Sequence, residues 1–214
     1  MVGGRYDPHL RNNSVGGRTL NDTFVNQLKQ FLSAQDDKHY VHVVFLGGNN
    51  IRRCFRSDAP IQVKNIRASE TVDELIEGYK KILEIAKPFA KTKLVIVSPL
   101  TSANSEHEPH FERFANLLRP ITAQNGAIFC EIRDTFGSKV GFYENGLVKR
   151  VFRPDLFQDD VHLNRAGAKL LAKRVFNTLS QIPNAFFGHK HLSQSTKNHA
   201  KNLALKSADK QPAV

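Results

Sequence analysis

The sequence is poor in cysteine, in acidic residues and in long apolar runs, and each shortage excludes something. Two cysteines among 214 residues, Cys54 and Cys130, are too few for a disulfide framework or a four-thiolate zinc site. Cys130 lies in the apolar run Ala127-Ile128-Phe129-Cys130 and reads as a buried core thiol. Cys54 stands among arginines, a setting that suits a reactive thiol, yet a structural reading is preferred for it as well. The longest apolar runs, 41–46 and 94–97, are strand-sized and far short of the ~20 residues needed to cross a bilayer. A mean hydropathy of -0.39 agrees. The opening Met-Val-Gly-Gly-Arg-Tyr-Asp-Pro has no apolar stretch, so no secretory signal is read, and the chain as written is expected in the cytosol or nucleus.

The acidic shortage leaves a formal net charge of +11, from 31 Lys and Arg against 20 Asp and Glu. Such a balance favours acidic partners, nucleic acid or anionic lipid, through non-specific electrostatics. The excess is dispersed. Residues 184–214 hold five lysines against one aspartate, and Arg52, Arg53 and Arg56 form a second cluster. Neither interleaves aromatics or matches a nucleic-acid motif, so weak, salt-sensitive binding is expected and dedicated recognition is not.

Length and a 40% hydrophobic content suit one domain with a sizeable core. Thr19 to Asp22 reads as a capped helix start, followed by Leu20, Phe24, Leu28, Phe31 and Leu32 at helical spacing. Tyr40 to Leu46 is a β-branched strand ending in Gly47-Gly48-Asn49-Asn50. A polar loop of about twenty residues is expected next, then a helix opened by a capping box at Thr71 to Glu74 and running to Pro88. Lys93 to Ser98 and Ala127 to Ile132 read as further strands. Between them Phe111, Phe114, Leu117, Leu118 and Ile121 mark a helix despite Pro120, and 164–179 form the last one. Helices alternating with wholly apolar strands predict a three-layer α/β/α sandwich with a mostly parallel sheet, whose chemistry lies in loops at the carboxyl ends of the strands. From Asn184 onward the composition predicts a basic disordered tail, which bounds the domain at 1–183.

Two segments carry chemistry. In Gly47-Gly48-Asn49-Asn50, glycines permit close backbone approach, and an asparagine amide can donate to an anionic oxygen without adding charge, as an oxyanion hole requires. A plain turn is the alternative reading. In Asp159-Asp160-Val161-His162, a carboxylate three residues before a histidine can hold the ring, fix its tautomer and stabilise the imidazolium. A metal pair or a capped helix start are the alternatives. Asn164 is a good N-cap, and no second cluster of His, Asp and Glu supplies further metal ligands, so no metal or other cofactor is expected. His107 and His110 are expected to be solvated in a polar loop.

Together and in this order, these segments resemble the SGNH (GDSL-like) hydrolase superfamily over residues 10 to 182. Its signature comprises a Gly-Asp-Ser block, a lone glycine, a Gly-x-Asn-Asp block and an Asp-x-x-His block before the last helix. Gly47 to Asn50 looks like the third, with asparagine for the final aspartate, and 159–162 matches the fourth. Ser14 to Thr19 is similar to the second, with Gly17 the best candidate donor and Gly16 the fallback. The resemblance implies a flavodoxin-like sandwich in which His162 is the general base and Asp159 its orienter, and Asn49 and the Gly17 N–H stabilise the oxyanion of a small acyl ester. Asn50 would support the loop, and Asp160 would face solvent or cap the helix.

The first block is not there. Sixteen residues precede Gly17 and none reads Gly-Asp-Ser, so the nucleophile is unassigned and the family's first, central strand is missing. Ser14, the only serine ahead of Gly17, falls in the wrong block. The expectation is a fragment or a degenerate copy: either an incomplete esterase or lipase, or a non-catalytic relative that binds acidic partners such as nucleic acid, as in proteins of mobile elements. Loss of a central strand would leave backbone edges unpaired unless neighbours close up or an N-terminal segment fills the gap.

Overall fold

Successive side chains of the strand Leu94-Val95-Ile96-Val97 point to opposite sides, and this alternation sets the layering. Leu94 and Ile96 enter one core with Leu28, Leu32, Leu75, Tyr79, Phe111 and Phe114. Val95 and Val97 enter another with Cys130, Ile132, Phe136 and Ile182. A strand buried on both faces needs helices above and below it, and the expected three-layer sandwich follows.

The computed structural model describes residues 17–36 and 38–183, so Ser14, Gly16 and the basic tail from Asn184 lie outside the described residues. The elements are α1 (Asp22–Ser33), β1 (Tyr40–Val44), α2 (Gly48–Cys54), α3 (Ile61–Ala86), β2 (Thr92–Val97), α4 (Glu108–Gln124), β3 (Ile128–Cys130), α5 (Arg133–Phe136), β4 (Gly137–Phe142), β5 (Val148–Phe152), a 3₁₀ turn at Pro154–Leu156 and α6 (Arg165–Leu179). Strands β1, β2 and β3 pair in that order, all parallel, with Val43 beside Val95 and Val95 beside Ile128. Among the described residues nothing pairs with the outer edge of β1. Val43 and Phe45 are 45% and 40% exposed.

Several expectations need correction. The polar loop after Asn50 is mostly helix: α2 occupies 48–54, and α3 begins at Ile61 behind Pro60, ten residues before Thr71. Thr71 is therefore interior to α3, and its capping box does not form. Helix α1 is capped by Asn21, whose side chain accepts from the Phe24 N–H, so Thr19 is not the cap. The last helix is capped by Asn164 as expected, and α4 continues through Pro120. The antiparallel hairpin β4–β5 was not anticipated.

That hairpin is fastened by buried charge. Arg133, fully buried, donates from Nε to Glu112 Oε2 at 2.8 Å, from Nη2 to Glu108 Oε1, and from Nη1 to the Leu100 carbonyl at 3.3 Å. Arg150 of β5 reaches the same Glu112 oxygen at 3.2 Å. Its Nη1 lies 2.8 Å from Asp134 Oδ1 but is not aligned for a hydrogen bond. Removing the shared carboxylate would leave two guanidinium groups short of countercharge in the interior. Glu112→Ala is expected to lower the unfolding free energy by about 3–5 kcal/mol, measured by urea denaturation at neutral pH.

Candidate active site

Residues 157–164 form a tight loop whose own backbone builds the carboxylate–imidazole pair. Phe157 and Leu163 make an antiparallel bridge, and the Gln158 N–H donates to the His162 carbonyl at 2.9 Å. Inside the loop, Asp159 Oδ1 accepts from the N–H groups of Val161 (2.8 Å) and His162 (2.7 Å). This leaves Oδ2 facing His162 Nδ1 at 2.8 Å. With Nδ1 held by the carboxylate, Nε2 is the nitrogen free to exchange protons, and among the described residues no side chain engages it. The His162 backbone N–H, then its side chain, then the Val161 N–H hold the Asp159 carboxyl down at about 2. Asp160 is exposed, as expected.

The loop is pinned to α6 from below. Asn164 caps the helix by accepting from the Gly167 N–H at 3.0 Å, and its amide donates to the Asp155 carbonyl at 2.8 Å. Gly167 is indispensable to this packing, because a Cβ there would lie 2.1 Å from the Leu156 carbonyl oxygen.

The glycine–asparagine segment turns directly into α2 rather than forming an extended loop. Gly47 takes φ +109, and a Cβ on it would lie 2.6 Å from the Phe114 ring, so no other residue joins β1 to α2 in this way. Asn50 pairs with Leu20 twice: Leu20 N–H donates to Oδ1 at 3.0 Å, and Nδ2 donates to the Leu20 carbonyl at 2.9 Å. Asn49 Nδ2 donates to the Arg18 carbonyl at 3.0 Å, and Arg53 reaches the Gly17 carbonyl at 3.3 Å. One of the two Asn49 amide hydrogens is thus committed to positioning. Gly17 takes φ +70, a conformation that suits glycine.

The two segments are linked electrostatically through Arg52. Arg52, one turn along α2 from Gly48, lies within the electrostatic field of Asp159. Its guanidinium stands 5.5 Å over the Phe111 ring, beside His107. His107 and His110 are not freely solvated: both are half-buried against Phe55, at ring separations of 4.4 and 5.7 Å. Burial first, then the charges of Arg52 and His110, push His107 down to about 4. Among the described residues no three His, Cys, Asp or Glu side chains gather as metal ligands. Cys130 is buried, with the Thr178 hydroxyl on its sulfur, and Cys54 bonds to the Asn50 carbonyl and approaches Thr71; both are structural. A groove of about 970 Å³ between α1, α3 and α4 touches Asn50 but is lined by neither Asp159 nor His162.

The profile of the GDSL-like lipase/acylhydrolase family matches residues 4–175. The chain belongs to that family. Solved structures with a similar fold include an acetylxylan esterase from Geobacillus stearothermophilus, with 18% identity and a TM-score of 0.54 over 76% of this chain and 68% of that one. A putative acylhydrolase from Bacteroides fragilis shares 16% identity, with a TM-score of 0.53 over 78% and 72% of the two chains. The OSK domain of Drosophila Oskar shares 15%, with a TM-score of 0.51 over 76% and 71%. No curated protein matches the chain. Among the described residues no helix of this family member is long and apolar enough to cross a membrane.

Two predictions follow from this geometry. Asn50→Asp keeps the acceptor for the Leu20 N–H but sets an oxygen against the Leu20 carbonyl. It should cost about 1–3 kcal/mol in denaturant unfolding, while Asn50→Gln cannot restore both bonds. Asp159, held below its ordinary 3.8, contributes stability that is present above that value and is lost as pH falls through about 2. Its carboxyl carbon should therefore show an NMR titration midpoint near 2, and a midpoint near 4 would mean the loop hydrogen bonds do not form in solution.

Proposed function

We propose that this chain carries the base and oxyanion half of a serine-type carboxylic ester hydrolase acting on small acyl esters. The Asp159–His162 pair carries the reading: Nδ1 is tied to a carboxylate at 2.8 Å while Nε2 is open to a hydroxyl. In the reaction, His162 Nε2 takes the proton of the attacking hydroxyl and returns it to the leaving alcohol, and Asp159 holds the ring and stabilises the imidazolium. Asn49, through its second amide hydrogen, and the Gly17 N–H donate to the tetrahedral oxyanion. The side chain of Asn50 and the Arg53 contact hold those donors in register, while the hydroxyl itself is unassigned.

A second reading keeps the scaffold without the chemistry. It is favoured by two observations: no described side chain meets His162 Nε2, and the chain carries a net charge of +11. In that reading the domain binds acidic partners such as nucleic acid, weakly and with strong salt dependence.

A fluorophosphonate probe separates the two. The hydrolase reading predicts labelling of one serine, with ester turnover lowered about 10²–10⁴-fold by His162→Ala and by Asp159→Asn. Absence of labelling, together with oligonucleotide binding that weakens as salt is raised, would establish the non-catalytic reading instead.

A further inference from the structure

Helix α2 and the turn that ends it place three arginines, Arg52, Arg53 and Arg56, within five residues, and none has a carboxylate at ion-pair distance among the described residues. Arg53 spends a donor on the Gly17 carbonyl. Arg52 spends none. It is half-buried, lies 5.5 Å over the Phe111 ring, and stands where the fields of Asp159 and Arg56 overlap. Phe111 in turn meets His107 edge-on at 6.3 Å, and Phe55 closes the far side of that imidazole at 4.4 Å. Withdrawing an unpaired guanidinium from water carries a cost, which an incoming anion would offset.

Asp159 does not serve as that anion. Its Oδ1 already accepts two backbone N–H groups and its Oδ2 holds the His162 ring. Its negative charge favours the protonated guanidinium of Arg52 without consuming its donors, and Arg52 lies on the same helix as Asn49, three residues on. The planar fork of Arg52, backed by an aromatic plate, matches a carboxylate in bidentate geometry. We propose that Arg52 anchors a negatively charged group carried by the ester substrate, so that the site selects anionic acyl esters over neutral ones. The inference rests on the hydrolase reading above for its substrate class, but the anchor itself is a binding property and is measurable without turnover.

The test uses the full chain and two near-isosteric esters, monomethyl succinate (anionic) and methyl butyrate (neutral). Binding is followed through the imidazole resonances of His107 and His162. The anionic ester is expected to bind about tenfold more tightly, Arg52→Gln to erase that preference, Arg52→Lys to keep part of it, and Lys80→Gln to leave it intact. Arg52→Gln should also raise the titration midpoint of His107, because the Arg52 charge helps to depress it; that readout shows the variant is folded and the two groups adjacent. Equal binding of the two esters, no shift with either, or a preference that survives Arg52→Gln overturns the proposal. Arg52-dependent capture of a single-stranded oligonucleotide without ester discrimination overturns it too and assigns the arginine to phosphate.

The two readings fail separately. Arg52-dependent ester binding with no turnover and no fluorophosphonate labelling removes the hydrolase and keeps the anchor. Turnover of the neutral ester at the rate of the anionic one, unaffected by Arg52→Gln, does the reverse.

Discussion

The paired hydrogen bonds between the Asn50 amide and the Leu20 backbone are the constraint on which the site depends. They imitate the exchange between two neighbouring strands, with a side chain in place of one of them, and so lash residues 17–20 to α2. Only an amide can do this, since it offers a donor and an acceptor on one planar group. With that lashing in place, Asn49 finds the Arg18 carbonyl and Arg53 finds that of Gly17. The asparagine that departs from the family's Gly-x-Asn-Asp pattern is therefore chemically suited to its partner in this chain.

The other half of the site is organised differently. The pair formed by Asp159 and His162 is almost wholly local, written into eight residues by the bridge of Phe157 with Leu163, two N–H donors and the Asn164 cap. Local closure explains why the pair forms on an exposed surface, where neither burial nor a distant partner contributes. It also explains why His162 points Nε2 outward. Two independent solutions, one long-range and one local, thus shape the two segments.

What was legible in the sequence follows from this division. Strands β1 and β2 and helices α4 and α6 announced themselves through β-branched runs and apolar periodicity, because both faces of β2 are buried beneath helices. The Asp159–His162 spacing was readable because the geometry is local. Helix α2 and the first ten residues of α3 were not, because Arg53, Gln62, Asn65 and Arg67 are exposed and leave little apolar period to detect. The β4–β5 hairpin did carry a signal, Asn145-Gly146 between strand-like segments, a pairing typical of tight hairpin turns. The cluster of Glu108, Glu112, Arg133 and Arg150 carried none, for its members lie up to 42 residues apart and become partners only in the fold.

The flank of β1 that has no partner among the described residues has a mechanical meaning. Among the described residues β2 is paired on both sides and β1 on one side only, so small openings should concentrate along β1. Asn49 and Arg52 hang from that softer support, through Gly47, while the imidazole is mounted on a closed loop seated against α6. The Asn49 amide and the His162 imidazole are therefore suspended from mountings of unequal compliance. Whatever stiffens the outer strand will tune the distance between them.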